Sequence, residues 1–378
     1  MSEARVDAPG GPDGSPEVSP VEPPGSAGVP TMFDVARRAG VSHQTVSRVL
    51  NGLTGVAAAT KVRVEQAIAE LGYTPSPAAR AMAKRRSGSI GLIQAGRPDY
   101  GPSSAALGFN EAARDAGYTV SQASMRTLDA VALRQAVHRL VLQRVEAIVL
   151  IAGEREASEV LRGIEAGVPL VAVASEGAGG PRGAATGATG VTGARRVHRV
   201  SLDQYAGARL ATEHLIGLGH RRIAHVTGPS DSMDAAERRR GWTDVMREHS
   251  LELRAPFAGE WLAASGYEVG RSLLAEGWAT AVFVGNDQMS LGLLHACHEA
   301  GVAVPDALSI VGFDDIPEAA YFTPALTTVR QDFDWLGRDV MATVLDAMRD
   351  DAHAPDRTAR VPDLVVRAST TPPPSPVE

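Results

Sequence analysis

From residue 89 onward, short apolar runs alternate with longer stretches in which apolar positions recur every three or four residues. The runs fall at 90–93, 119–123, 147–151, 170–174, 223–227, 281–284 and 308–312. The longer stretches fall at 105–116, 130–143, 205–218, 235–249 and 288–300. Strands without polar alternation need cover on both faces, which helical crossovers between parallel strands supply. About 290 residues of this pattern is too much for one such sheet, so two α/β lobes are expected. A Gly-, Ala- and Thr-rich segment at 176–199 breaks the rhythm and reads as a flexible surface insertion.

Ahead of this body, residues 31–72 carry three short helical patterns. The first covers 32–39 and stops at Gly40; Ser42 then caps a second over 43–51. The third ends at Leu71, with Val64, Ala67, Ile68 and Leu71 on one face and Gly72 as its stop. On the second helix, His43, Gln44, Ser47, Arg48 and Asn51 share an arc of roughly 140°, while Val46, Val49 and Leu50 lie opposite. The apolar side packs on its neighbours, and the polar stripe is left to donate and accept hydrogen bonds. A helix, a Gly-containing turn and a polar-striped helix form a helix-turn-helix, whose second helix fits the major groove. There Arg48 can bond guanine through two N–H groups, and Gln44 can do the same to adenine. The plainer alternative is an ordinary solvated face of a three-helix bundle.

Charge favours the first reading. The chain of 378 residues has a net charge of -7, but it is unevenly spread. Residues 31–88 hold nine bases against three acids, whereas 1–30 hold one base against five acids and 89–378 are acidic overall. A small basic module on an acidic body is the footprint of a nucleic-acid binder. The single cysteine, Cys297, excludes an intrachain disulfide and a cysteine-based zinc cluster. No apolar run is long enough for a membrane helix and no secretory signal is evident, so a cytoplasmic protein without a membrane partner is expected.

The residues from Thr31 to Gly91, including FDVARRAGVSHQTVSRVLNG, closely resemble the DNA-binding headpiece of the LacI family of bacterial repressors. LGHRRIAHVTGP, GEW, TAVFVGNDQMSLG, LSIVGFDD and PALTTVRQDF extend the resemblance over nearly all of the body. The fold it implies is an all-α helix-turn-helix headpiece with a hinge helix, followed by a two-lobed core of parallel sheets like that of periplasmic sugar-binding proteins. The expected organisation is a disordered tail at 1–30, a headpiece at 31–73, and a hinge and linker at 74–88. An effector-binding and dimerisation core at 89–368 and a second disordered tail at 369–378 complete it.

The resemblance assigns base reading to His43, Gln44 and Arg48, and phosphate contacts to Thr45, Ser47 and Asn51. It makes the segment from Pro77 to Ala83 a hinge helix that enters the minor groove, with Met82 in place of the usual wedging Leu. It places effector contacts at Arg238, Trp261, Asn286, Asp314 and Gln331, types that suit a sugar: donors, an acceptor and an indole face. Ala174 and Ile151 stand where members of the family have Asp and Asn, which weakens the case for a galactoside. For Arg238 and Asp314 a purely structural ion pair is the alternative. His295, Cys297 and His298 read as packing rather than metal ligands, and no nucleophile meets a base, so neither a cofactor nor catalysis is expected. The function implied is a homodimeric repressor of double-stranded operator DNA, released by a small carbohydrate. A regulator whose ligand acts as co-repressor and a non-catalytic sugar receptor are the alternatives, and an enzyme acting on a small carbohydrate is a third. No apolar heptads follow Arg367, so a tetramer-forming helical tail is not expected.

Overall fold

The computed structural model describes residues 30–50, 52–74, 86–125, 129–153, 160, 163–175, 197–349 and 358–374. The chain divides into two compact units, one ending at Arg85 and the other beginning at Arg86. Expectations for 1–29, the hinge at 75–85 with Met82, Asn51, and the insertion at 176–196 lie outside the described residues.

The first unit is a bundle of α1 (Met32–Ala39), α2 (His43–Leu50) and α3 (Ala58–Leu71). Helices this short are marginal in water and depend on caps and packing. Thr31 and Asp34 form a reciprocal capping box at the start of α1, and Gly40 ends it in the left-handed region at φ 65°. Ser42 Oγ accepts from Thr45 N at 3.2 Å to open α2. Val35, Ala36, Ala39, Val46, Val64, Ala67 and Tyr73 form the common core.

In the second unit, the N-terminal lobe is a five-stranded parallel sheet ordered β2-β1-β3-β4-β5. Its strands are β1 (Ser89–Ala95), β2 (Thr119–Met125), β3 (Ile148–Ile151), β4 (Leu170–Val173) and β5 (Val197–Val200). Successive residues serve opposite faces. Ile90, Leu92, Val149 and Ile151 pack with α4 (Tyr100–Asp115) and α10 (Phe333–Arg349), while Ile93, Ile148 and Leu150 pack with α5 (Ala130–Leu142). Two-sided burial is why β1, β3 and β4 carry largely apolar runs, whereas β2 at one edge is partly exposed and β5 at the other alternates.

The C-terminal lobe has six strands ordered β11-β10-β9-β8-β6-β7, of which only β11 pairs antiparallel. They are β6 (Ile223–Thr227), β7 (Phe257–Ala258), β8 (Ala281–Val284), β9 (Ser309–Asp314), β10 (Thr327–Arg330) and β11 (Asp363–Val365). One face packs on α6 (Gln204–Gly217) and α7 (Met233–Glu248), the other on α8 (Ala263–Glu276) and α9 (Asp287–Glu299).

Among the described residues the chain crosses between lobes from β5 to α6, from β10 to α10, and again ahead of β11. The crossings are bonded to one another. Asp203 N donates to Arg360 O at 2.9 Å, and Arg360 Nη1 lies 3.0 Å from Asp332 Oδ2.

Two sequence expectations need correction. The insertion ends earlier than 199, because Val197–Val200 joins the sheet as β5, with Val197 beside Leu170 and Val200 beside Val173. The second tail does not begin at 369. Ser369 is buried; its Oγ donates to Ile310 O at 2.6 Å and accepts from Thr327 N at 2.8 Å. Thr371 continues the contact, its N donating to Ser309 Oγ at 3.0 Å. Hydroxyl groups that read as loop composition are here the partners of strand-end backbone and side chains.

Candidate functional site

The polar side of α2 is exposed where the bundle leaves it uncovered. His43, Gln44 and Arg48 are exposed, Thr45 and Ser47 half-buried, and Val46 fully buried behind them. The Thr45 and Ser42 hydroxyls lie 3.0 Å apart at the N-cap. Arg48 Nη2 donates to Thr54 O at 3.2 Å, so the guanidinium is steadied by the following loop while the residue stays exposed. Gly55 is part of the same arrangement: a Cβ there would lie 3.2 Å from Arg48 Nη2. Phe33, which the sequence reading passed over, is 66% exposed with its ring centroid 5.3 Å from that of His43. An exposed aromatic beside a polar stripe was the available signal.

In the core, four buried side chains close a ring of hydrogen bonds. Arg238 Nε donates to Gln204 Oε1 at 2.8 Å, and Gln204 Nε2 donates to Gln331 Oε1 at 2.7 Å. Gln331 Nε2 donates to Asp314 Oδ1 at 2.7 Å, and Arg238 Nη2 returns to the same oxygen at 3.4 Å. Arg238 Nη1 also donates to Gly285 O, and its guanidinium lies 3.8 Å from the Phe313 ring centroid and 5.3 Å from that of Trp261. Each member is placed by its element: Arg238 midway along α7, Gln204 at the start of α6, Asp314 at the end of β9, and Gln331 just after β10.

Backbone geometry at this place is unusual. Asp314 and Asp315 have φ of 108° and 53°, and Trp261 has 63°. Side-chain residues rarely adopt such angles, which persist only where the surroundings hold them. Here Gln331 holds Asp314, and Arg330 and Arg367 hold Asp315 at 2.6 and 2.7 Å. The Trp261 indole occupies a slot between Gly228 and Gly285, where any Cβ would collide with it or crowd it. Asn286 Nδ2 donates to Trp261 O at 3.0 Å, and Asn286 Oδ1 caps α9 through Met289 N at 2.9 Å.

Burial pushes the Asp314 carboxyl up to about 6, against the opposing pull of Arg238. Asp287 is raised well above the usual carboxylate range by burial and by Asp314. Its oxygens accept from Thr328 Oγ1 at 2.6 Å and Ile316 N at 2.9 Å, a structural role.

All five expected core residues therefore lie together, joined by Gln204, which sequence reasoning missed. The ion pair considered as an alternative is also present, between Arg238 and Asp314. At two strand ends of the N-terminal lobe the side chains are apolar: Ile151 belongs to the lobe core and Ala174 is buried. Ser175 Oγ donates to Asp234 Oδ1 at 2.5 Å, and Met233 N donates to Gly153 O at 3.0 Å, joining the lobes. Among the described residues no group of side chains could hold a metal ion. His295 lies 3.4 Å from Glu299, and burial pushes the Cys297 thiol up to about 11.

A helix-turn-helix bundle carrying an exposed polar stripe, joined in one chain to a two-lobed α/β core with a buried polar cluster, has the build of a ligand-controlled regulator. Residues 31–76 match the family described as bacterial regulatory proteins, lacI family, and residues 212–370 match the periplasmic binding protein-like domain. The chain is 32% identical over 347 residues to the lactose operon repressor of Escherichia coli (strain K12), covering 91% of each. To the transcriptional regulator CelR of Thermobifida fusca it is 31% identical, covering 90% of this chain and 98% of that protein. The crystal structure of the lac repressor dimer bound to operator and the anti-inducer ONPF superposes with a TM-score of 0.79 at 32% identity, covering 90% of this chain and 99% of the other. The transcriptional regulator CelR–cellobiose complex superposes with a TM-score of 0.64. The chain belongs to the LacI family of bacterial regulatory proteins.

Proposed function

We propose that the protein is a cytoplasmic, homodimeric repressor that binds a near-palindromic operator and releases it when a small carbohydrate binds between the lobes of its core. The observation that carries this is the pairing of two surfaces in one chain. His43, Gln44 and Arg48 are exposed in a row on α2, and Arg238, Asp314, Gln331 and Trp261 converge in the core. One headpiece reads only a few base pairs, so useful specificity requires two half-sites related by a dimer axis. In the headpiece, Arg48 and Gln44 supply bidentate donors and acceptors for base edges, while Thr45 and Ser47 face phosphates. In the core, Arg238 donates to hydroxyls, Asp314 accepts from them, Gln331 does both, and Trp261 presents its ring to a sugar's C–H face.

Asn286 has a supporting part in this reading. Its amide atoms hold Trp261 and cap α9, so it positions the indole as well as offering its expected contact to the ligand. The chemistry is binding alone: no side-chain nucleophile faces a base in the cluster. No helix among the described residues is long and apolar enough to cross a membrane.

The test is to select a preferred duplex from a random pool and titrate it with purified protein. Lactose, cellobiose and ribose, the sugars suggested by relatives' names and a neighbour's complex, are then added in turn. A selected palindrome released by one of them supports the reading. Tighter binding in the presence of sugar would instead make the ligand a co-repressor, and no sequence preference would defeat the headpiece assignment.

A further inference from the structure

The ring of hydrogen bonds in the core has a direction. Arg238 can only donate and an ionised Asp314 can only accept. Between them Gln204 must turn its oxygen to Arg238 and its nitrogen to Gln331, and Gln331 must turn its nitrogen to Asp314. The observed distances of 2.8, 2.7 and 2.7 Å follow that polarity at every step. The two glutamines also occupy special places in the chain. Gln204 ends the first crossing between the lobes and Gln331 begins the second, and the neighbours Asp203 and Asp332 are both bonded to Arg360 on the third.

We infer that Gln204 is a positioning residue: it orients Arg238 toward the ligand and transmits the state of the Arg238–Asp314 pair to the segments about which the lobes move. This rests on the reading of the core as the effector site. A ligand that takes hydrogen bonds from Arg238 or gives them to Asp314 competes with the two ends of a chain whose middle is built from two crossings. Loss of one end loosens the glutamine pair, and the crossings gain freedom together. Coupling of this kind requires a contiguous element with two arrangements. This chain has two: bonded through with both ends held, and loosened once a ligand takes one end.

That polarity supplies a test which mere packing would not pass. Gln204→Glu keeps the shape but presents an acceptor to Gln331. The Gln331 amide then flips to donate to the new carboxylate, and its oxygen is left facing Asp314. Adding Asp314→Asn restores the three bonds through the glutamines with the order reversed, since Asn donates to Gln331, Gln331 donates to Glu at 204, and Arg238 donates to the same carboxylate; only the longer 3.4 Å bond from Arg238 Nη2 to the side chain at 314 is given up. The double variant keeps one carboxylate and one guanidinium in the ring.

The experiment is amide hydrogen exchange on the full-length dimer without ligand, following peptides that cover 201–206 and 330–335. Gln204→Glu should exchange about tenfold faster in both peptides, and the double variant should return both to near the wild-type rate. Gln204→Asn, too short to span the ring, should behave like the single variant and guards against an effect peculiar to the added charge. Faster exchange confined to 201–206 would overturn the inference, as would a folded double variant that exchanges no more slowly than Gln204→Glu. No sugar enters these measurements. Failure of the effector reading would appear separately, as wild-type protein whose melting temperature none of the three probe sugars raises.

Discussion

Replacing Arg238 by Lys keeps a positive charge and removes a planar fork. That fork serves three acceptors: Gln204 Oε1, Gly285 O and Asp314 Oδ1. A lysine ammonium can reach one or two of them. At least one buried acceptor is then left bare, which costs about 1–3 kcal/mol. The flat contact with the Phe313 ring is lost as well, and such desolvated cation–π contacts contribute about 2 kcal/mol. A net loss of about 2–4 kcal/mol is expected, measured as a lower midpoint of urea unfolding with an unchanged slope. In operator-release titrations the variant should need at least about tenfold more sugar, equivalent to 1.4 kcal/mol of binding. Operator affinity without sugar should change little, because the lysine ammonium can still pair with Asp314 and keep that end of the ring. A variant that unfolds at the wild-type midpoint would refute the three-acceptor account. One that releases at the wild-type sugar concentration would leave Arg238 a structural ion-pair partner only.

Arg48→Ala should cost about 1–3 kcal/mol per half-site and flatten the preference at one base pair. Equal weakening on operator and random DNA, read from binding isotherms, would remove Arg48 from base reading. Asp314 titrates near 6 when folded but near 4 when unfolded. Its ionisation therefore disfavours the folded state above pH 6, and its contribution to stability rises as pH falls from about 6 to about 4, by about 3 kcal/mol in all. The stability difference between wild type and Asp314→Asn, followed by urea unfolding across that window, should carry this slope, with Asp287 titrating as part of the pair. A flat difference would mean that Asp314 is not a buried, raised carboxyl. Ser369→Ala strips the donor from Ile310 O and the acceptor from Thr327 N, and should lower stability by about 2–4 kcal/mol in the same assay. An unchanged midpoint would return residues 369–374 to the status of a loose tail.

The sequence was most informative where burial was two-sided. β1, β3, β4, β6, β8 and β9 are continuous apolar runs because helices cover both their faces, and those runs located them. The strands left unread have mixed composition or little length. β5 reads Val-His-Arg-Val and alternates in burial, β7 has two residues, and β10 reads Thr-Thr-Val-Arg. α10 was legible and went unread: Leu336, Val340, Val344 and Ala347 keep helical spacing and all are buried. The headpiece was legible almost residue by residue, since in so small a bundle each cap and each apolar position has one task. Gln204 was not legible. A glutamine in the first turn of a helix looks like any solvated end, and its partner Gln331 lies 127 positions away.

For Arg238 and Asp314 the sequence posed a choice between a ligand site and a structural ion pair, and physical chemistry makes that a false choice. A cluster able to bind hydroxyl groups out of water consists of buried donors and acceptors, and leaving those unpaired costs about 1–3 kcal/mol each. Such groups can satisfy one another until a ligand displaces them, so an ion pair between Arg238 and Asp314 is compatible with a binding role for the cluster. The ring of Arg238, Gln204, Gln331 and Asp314 meets this need with none of the four left without a partner. It also sets a limit on the ligand, which gains only the difference between its own bonds and those it displaces. A sugar with several hydroxyls in fixed array can exceed the ring's bonds; a monofunctional alcohol cannot. On the proposed effector reading, selectivity for polyols then follows from the exchange itself, before any contact with the N-terminal lobe is considered.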